Sequence, residues 1–319
     1  MICLLGAGGC FALNLARHLG SEACFGIGRT GPKAAPFWLA PEGYQFTQLH
    51  LVTEQPRLFA MLDYMKPEVI VNYAAQGEGA ASFGEHSPLF YHTNTLALVQ
   101  IVEFLRTRKW LKRFVQISTS ELYGSVSAPS KESDPIKATS PYAISKAAFD
   151  MHLEVMHRIH GFPVNVVRPS NCIVSGQQLH RIVPKAIICA LTGQKLPLHG
   201  GGKAQKSYLD AGDLSRAVMA VLDVGEIGEI YNCGPPSPIS IRDLVGMVAK
   251  VCGVAFEDLV QEYPDRVGQD GKYHLDSSKL GALGWFQTVE LEDGIAEMVA
   301  WIKRFPEVLT MPTEFIIRP

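Results

Sequence analysis

Short apolar runs alternate with longer amphipathic stretches from the first residue to about Arg168, and this is how a parallel sheet wrapped by helices reads. The runs predict strands near Ile2 to Leu5, Ala23 to Ile27, Val69 to Asn72, Phe114 to Ile117 and Val164 to Val167. The amphipathic stretches predict helices near Phe11 to Leu19, Arg57 to Met65, Leu89 to Arg106 and Tyr142 to Ile159. Thr30 to Gly43 is rich in Pro, Gly and Ala, has no clear period and reads as a loop. Beyond Arg168 the pattern loosens, with turn signals at Gly200-Gly201-Gly202 and Gly234-Pro235-Pro236 and a last helix near Leu291 to Phe305. The fold class is therefore α/β, a doubly wound parallel sheet followed by a smaller mixed α/β lobe at residues 169–319 whose segments partly return to the first domain.

A chain of 319 residues is long enough for one large core or two lobes each with its own. Its formal net charge of -2 gives no basic face for nucleic acid and no polybasic segment for an anionic membrane, so the expected partner is a small molecule. The 7 cysteines are scattered, without a Cys-x-x-Cys pair, which argues against a disulfide framework and a zinc site. They read as reduced thiols of a cytoplasmic protein, and no metal is expected. Met1-Ile2-Cys3-Leu4-Leu5 runs straight into Gly6 without the pattern of a secretion signal, and no apolar run approaches the ~18 residues of a membrane span.

Gly6-Ala7-Gly8-Gly9-Cys10-Phe11-Ala12 lies between a predicted strand and a predicted helix. In that context a glycine turn carries meaning, because Gly6 and Gly9 let the backbone approach a pyrophosphate while the helix N-terminus stabilises its charge. Ala12 takes the third small position, where helix and strand pack closely. Residues 1–168 thus read as a Rossmann-type domain for NAD or NADP. Where a carboxylate would accept the adenosine ribose hydroxyl, the chain offers Gly26-Ile27-Gly28-Arg29-Thr30. Arg29 tilts the reading toward the 2′-phosphate of NADP, and the alternative is an ordinary surface arginine.

Ser118-Thr119-Ser120-Glu121-Leu122-Tyr123-Gly124, followed by Tyr142-Ala143-Ile144-Ser145-Lys146, supplies a hydroxyl, a carboxylate, a phenol and an ammonium. Together these groups can move a hydride and a proton. Tyr142 and Lys146 share one helix face, so the ammonium can favour the ionised phenol and make Tyr142 a base. With 10 tyrosines present, that spacing arises by chance about half the time, and its place after Ser140-Pro141, a good helix entry, is what adds weight. Thr119, at the carboxyl end of a parallel strand, faces the crevice where such sheets bind ligands. Ser118 and Ser120 read equally as turn residues. Glu121 is harder to dismiss, since hydride transfer alone needs no carboxylate, whereas removing a proton beside a new ketone needs a base.

These motifs resemble the extended short-chain dehydrogenase/reductases acting on nucleotide sugars, and within them the nucleotide-sugar 4,6-dehydratases. Ser118 to Gly124 is similar to the corresponding stretch of GDP-mannose 4,6-dehydratases. Val71-Asn72-Tyr73-Ala74-Ala75, Ser140 to Ala147, Asp265 to Tyr273, Asp276-Ser277-Ser278-Lys279 and Leu283-Gly284-Trp285 look closer to dTDP-glucose 4,6-dehydratases. The resemblance implies a redox-neutral reaction with tightly bound NAD(P): Tyr142, with Lys146 and Thr119, takes the 4-hydroxyl proton during C4 oxidation, and Glu121 takes the C5 proton as water leaves C6. It further implies Ala74 beside the cofactor, Asn171, Lys206 and Arg266 on the nucleotide diphosphate, and a homodimer formed through the helices at Leu89 to Arg106 and Tyr142 to Ile159.

The chain departs from those families in places. Ser120 stands where dTDP-glucose enzymes have the Asp that protonates the leaving hydroxyl, as it does in the GDP-mannose enzymes, so Glu121 has to serve twice or recruit a water. Lys206 replaces an Arg, giving a point charge for a fork. His50 stands where an adenine-contacting Asp is usual and reads as a strand-end residue. Gln76-Gly77-Glu78-Gly79-Ala80 is unlike either family. Alternatives are a 4-epimerase, 4-dehydrogenase or 4-reductase of the same superfamily, which lacks a need for Glu121, and a non-catalytic dinucleotide-binding sensor, which has no use for Thr119, Tyr142 and Lys146.

Overall fold

The computed structural model describes residues 1–31, 40–264 and 271–315. Strands β1 (Ile2–Leu5), β2 (Cys24–Gly28), β3 (Gln45–Gln48), β4 (Val69–Asn72), β5 (Arg113–Ile117) and β6 (Val164–Pro169) join a strand at Ile230–Cys233 in one seven-stranded parallel sheet. From one edge to the other the order is Ile230–Cys233, β6, β5, β4, β1, β2, β3. The winding reverses between β1 and β4, and ligands of open α/β sheets lie at the carboxyl ends of the strands at such a point.

Both faces of the sheet are covered, which is why most of its strands read as largely apolar runs, with Gln116 and Asn165 buried inside two of them. Alternate residues serve opposite cores: Cys3, Leu5, Ile70 and Phe114 pack with one, and Leu4, Val71 and Val115 with the other. Helices α2 (Gln55–Met65), α4 (Ala97–Leu105) and α5 (Pro141–His160) contribute Leu58, Leu62, Ile101 and Phe149 to the first. Helix α1 (Cys10–Leu19) and the later helix Ala211–Val224 contribute Leu15, Leu214 and Val218 to the second. A third core gathers Val183, Ile187, Leu244, Val248, Ile295 and Ile302 from the helices beyond residue 180. Among the described residues no helix is long and apolar enough to cross a membrane.

Two differences from the sequence expectation have physical causes. β3 is an edge strand whose Gln45 and Gln48 are exposed, so no apolar run announces it. The expected helix from Leu89 to Arg106 is three segments: α3 (Ser87–Tyr91), a π turn at His92–Leu96, and α4. Such turns insert an extra residue and re-aim side chains, often at functional sites. Here the turn aims Asn94, whose side chain accepts from the Gln76 amide (2.7 Å) and donates to the Gln76 carbonyl (2.9 Å) and the Ser145 hydroxyl (3.0 Å). Helix α5 has the ends its sequence signalled: the Ser140 hydroxyl accepts from the Ala143 amide at 3.1 Å, Pro141 opens the first turn, and Gly161 closes it at φ 64°.

Candidate active site

A cleft of about 530 Å³ opens where β1 and β4 end, lined by Gly6, Gly8, Gly9, Ala12, Gly28, Arg29, Ala74 and Gln76. Gly6 leaves β1 at φ 75°, and a Cβ there would fall 2.5 Å from the Ala74 amide nitrogen. A Cβ on Gly8 would fall 2.0 Å from the Thr30 carbonyl oxygen. Only glycine keeps this turn flat against its neighbours, and Gly9 then delivers the chain into α1. The cradle fits a dinucleotide: backbone close enough for a pyrophosphate, beside the amino end of a helix. Ala12 is fully buried behind the turn, while Arg29 and His50 line the rim. His50 is engaged in its own turn, its amide donating to Glu54 Oε2 at 2.7 Å and its Nδ1 accepting from the Val52 amide at 3.2 Å.

At the end of β5, consecutive residues meet successive turns of α5. The Ile117 carbonyl accepts from Lys146 Nζ at 2.7 Å, the Ser118 hydroxyl donates to Asp150 Oδ2 at 2.8 Å, and the Thr119 side chain is hydrogen-bonded to the Tyr142 phenol. Thr119 also accepts from the Glu121 amide at 3.2 Å, fixing the short turn that carries the carboxylate. Glu121 Oε2 lies 2.8 Å from the point a Gly79 Cβ would occupy, and the Ser140 hydroxyl lies 3.4 Å from that point. Thr119, Glu121 and Tyr142 are thus brought together, while Ser120 is buried at 3 % exposure.

The electrostatics of this corner are set by burial and by carboxylates. Burial pushes the Tyr142 phenol well above its ordinary value, and the Glu121 charge adds to the effect. The Thr119 hydrogen bond and the Arg181 charge pull the other way, and Glu78 pushes it up again. Lys146, 1 % exposed, is pulled by burial down to about 8 against the opposing pull of Asp150. These effects favour the protonated phenol in the chain alone, and an ionised Tyr142 would need positive charge brought close to it.

The pattern of the NAD dependent epimerase/dehydratase family matches residues 2–234. The chain belongs to this family. Among its relatives, a dTDP-glucose 4,6-dehydratase of Streptomyces niveus is 34% identical over 238 residues, 74% of this chain and 70% of that protein. A trifunctional UDP-glucose 4,6-dehydratase/UDP-4-keto-6-deoxy-D-glucose 3,5-epimerase/UDP-4-keto-L-rhamnose-reductase of Arabidopsis thaliana is 32% identical over 244 residues. That match takes 75% of this chain and 36% of the plant protein, so the chain spans little more than a third of such relatives. The crystal structure of the dTDP-glucose 4,6-dehydratase of Streptomyces venezuelae, solved with NAD bound, superposes with a TM-score of 0.87 at 27% identity, covering 95% of this chain and 97% of that one.

Several side chains of this family member's site escaped the sequence reading. Glu78 holds the left-handed region at φ 93°, between Gly77 and Gly79. Its carboxylate lies 3.1 Å from Arg181 and 3.4 Å from His180 Nε2, so the loop after β4 is tied across the cleft to the segment before the helix Ile182–Thr192. The His180 ring in turn meets Phe315 edge-on, with centroids 4.9 Å apart. The signal available was the glycine on each side of a charged residue. Asp150 and Arg168 were missed as well; both are buried, and Arg168 Nε donates to Asp150 Oδ2 at 3.1 Å.

The residues expected on the substrate fall in the second half. Asn171 opens a short strand paired with Tyr208–Asp210, its amide donating to the Ser207 carbonyl at 3.1 Å. Lys206 is no solvated surface charge: it is buried, with Nζ 3.3 Å from the centroid of the Tyr273 ring. Arg266 lies outside the described residues.

Proposed function

We propose that the chain is a nucleotide-sugar 4,6-dehydratase, converting a nucleotide-diphosphate sugar to its 4-keto-6-deoxy form. The observation that carries this reading is the Glu121 carboxylate packed against Gly79 and felt at the Tyr142 phenol, beside a dinucleotide cradle. Tyr142, hydrogen-bonded by Thr119, accepts the proton of the sugar 4-hydroxyl. The ketone formed at C4 acidifies C5, and Glu121 removes that proton. Because Ser120 is buried and no acid, Glu121 passes the proton to the departing C6 hydroxyl, which leaves as water. The proton gained by Tyr142 balances the one returned to C5. The hydride lost at C4 and regained at C6 is the chemistry that a bound nicotinamide dinucleotide supplies.

Gly6, Gly8, Gly9, Ala12, Ala74 and Lys146 would hold that cofactor, and Arg29, at the rim beside Gly28, leaves room for the 2′-phosphate of NADP. Asn171, Lys206 and Arg266 would hold the nucleotide diphosphate, making residues 169–319 the principal substrate lobe. Ile144, Met151, Val155 and Ile159 form an exposed apolar stripe on the outer face of α5, with Leu96 and Tyr91 exposed from the adjoining helices. A stripe of this kind calls for a partner, and a second copy paired through α5 meets it. We place the homodimer in the cytoplasm, where its free thiols stay reduced.

A 4-epimerase, 4-dehydrogenase or 4-reductase shares the first step and has no work for Glu121. The test is mass spectrometry after incubation with a panel of nucleotide sugars. The wild type is expected to remove one water from its substrate, and Glu121→Gln to lose ~10²-fold or more of 6-deoxy product while the 4-keto sugar or reduced cofactor builds up. A Glu121→Gln enzyme forming 6-deoxy product at the wild-type rate would overturn the assignment.

A further inference from the structure

Lys146 presents a problem that the dehydratase reading leaves unsolved. Its ammonium is buried at 1 % exposure, and the hydrogen-bond acceptor it reaches is the uncharged Ile117 carbonyl at 2.7 Å. A buried ammonium without a counter-charge gives up its proton. A neutral lysine could not favour an ionised Tyr142.

We propose that Asp150 is a positioning residue that keeps Lys146 charged and seated on the end of β5, with Ser118 and Arg168 fixing its carboxylate. Asp150 follows Lys146 by one turn of α5 and is 2 % exposed. Its Oδ2 accepts from the Ser118 hydroxyl at 2.8 Å and from Arg168 Nε at 3.1 Å. Its Oδ1 is buried with no hydrogen-bond partner among the described residues. A bare carboxylate oxygen in a protein interior needs an explanation, and a nearby ammonium held by the adjacent strand residue supplies one. The opposing pull of Asp150 on the Lys146 proton agrees with this arrangement.

Several elements pack around Lys146 and bring titratable or polar groups to this corner. Tyr142 and Asp150 share its helix, Glu121 comes from the turn after β5, and Arg168 comes from β6 behind Asp150. From the π turn the contacts to α5 are neutral, Asn94 on the Ser145 hydroxyl and Thr95 on the Ser145 carbonyl at 2.8 Å. Arg168 also donates to the Tyr123 hydroxyl at 2.8 Å, so its charge is shared with a group on the far side of Asp150. Asp150 is the buried carboxylate one helical turn from Lys146 whose charge acts on the ammonium through space.

The inference rests on Tyr142 being the proton acceptor, but its test needs no substrate. Lysine isotopically labelled at Cε would be followed by NMR through a pH titration of the unliganded chain, with Lys146→Met identifying the signal. The wild-type signal should titrate near 8. In Asp150→Asn the Lys146 proton affinity should fall ~10-fold or more. That variant leaves Arg168 unpaired, which could itself repel the ammonium, so Asp150→Asn/Arg168→Met is measured beside it, and Asp150→Glu serves as the conservative rescue. A low midpoint in the double variant and a wild-type midpoint in Asp150→Glu support the proposal, and these two variants decide the matter if the single Asn variant fails to fold. An unchanged midpoint in Asp150→Asn, a wild-type midpoint in the double variant, or a fall in Asp150→Glu equal to that in Asn would overturn it. Failure of the dehydratase assignment would leave the titration untouched.

Discussion

Along one wall of the site, Ile117, Ser118 and Thr119 at the end of β5 meet Lys146, Asp150 and Tyr142 on three turns of α5, whereas the rest of the site draws Glu78, Asn94 and Arg181 from three separate segments. The first wall needs only strand ends and helical turns, so its geometry follows from local periodicity. The second depends on a left-handed glutamate, a π turn and an ion pair spanning the cleft. Under the proposed function, proton transfer belongs to the stiff wall, and the shape offered to the sugar to the adjustable one. Glu121 lies at the seam, carried by the β5 turn and packed against Gly79 of the opposite loop.

If the division holds, damage to the stiff wall should be the most severe. Tyr142→Phe removes the proposed proton acceptor and keeps the ring, which packs edge-on against Phe90 with centroids 6.3 Å apart. Cofactor reduction, followed by absorbance, should fall by ~10³-fold with the fold intact by circular dichroism. A pH-dependent stability should accompany that wall. Lys146 holds its proton less tightly in the folded chain, near 8 against an ordinary 10.5, so between those values unfolding takes up a proton and stability rises with pH. Relative to Lys146→Met, wild-type unfolding free energy from denaturant titration should increase across that window by on the order of 1–3 kcal/mol. A flat difference would mean that Lys146 is hydrated and the wall looser than it looks.

The same division explains what the sequence made legible. Five of the seven sheet strands were found from apolar runs, because burial on both faces leaves few polar positions in them, Gln116 and Asn165 being buried exceptions. Thr119, Glu121, Tyr142 and Lys146 could be read because a strand end and a helical spacing bring them together without help from elsewhere. Asn94 could not be read, since a π turn has no periodicity of its own and hid inside one long amphipathic helix. Nor could the Glu78–Arg181 pair, which joins residues far apart in the chain by tertiary packing alone. Asp150 shares the helix face of Lys146, yet its role emerges only with β6, which supplies Arg168.

At the seam the expected effects shrink. Gly79 has φ -57°, so alanine there is conformationally free, but its Cβ would fall 2.8 Å from Glu121 Oε2. The flexible carboxylate should give way while the backbone stays, and Gly79→Ala should retain its melting temperature. If Glu121 is the base proposed, a displacement of a few tenths of an ångström should cost ~10-fold in water elimination, with C4 oxidation affected less. Equal loss in both steps, measured by single-turnover mass spectrometry, would place Gly79 against Tyr142 as well and blur the seam.

The smallest effect belongs to the adjustable wall. Glu78→Gln keeps the shape of the side chain and removes the charge that faces Arg181 and His180. Glu78 and Arg181 are partly exposed, at 23% and 35% for their side chains, so water screens the pair and its loss is modest. Arg181 would keep its place at the head of the helix Ile182–Thr192 but move more freely against the loop after β4. Such loosening weakens ground-state and transition-state binding of the sugar alike, which raises KM and spares kcat. A rise in KM of about two- to fivefold at near-constant kcat is expected from steady-state kinetics on the substrate found by the sugar panel. Loss of kcat with unchanged KM would put Glu78 among the groups that move protons, and the two walls would then share one task.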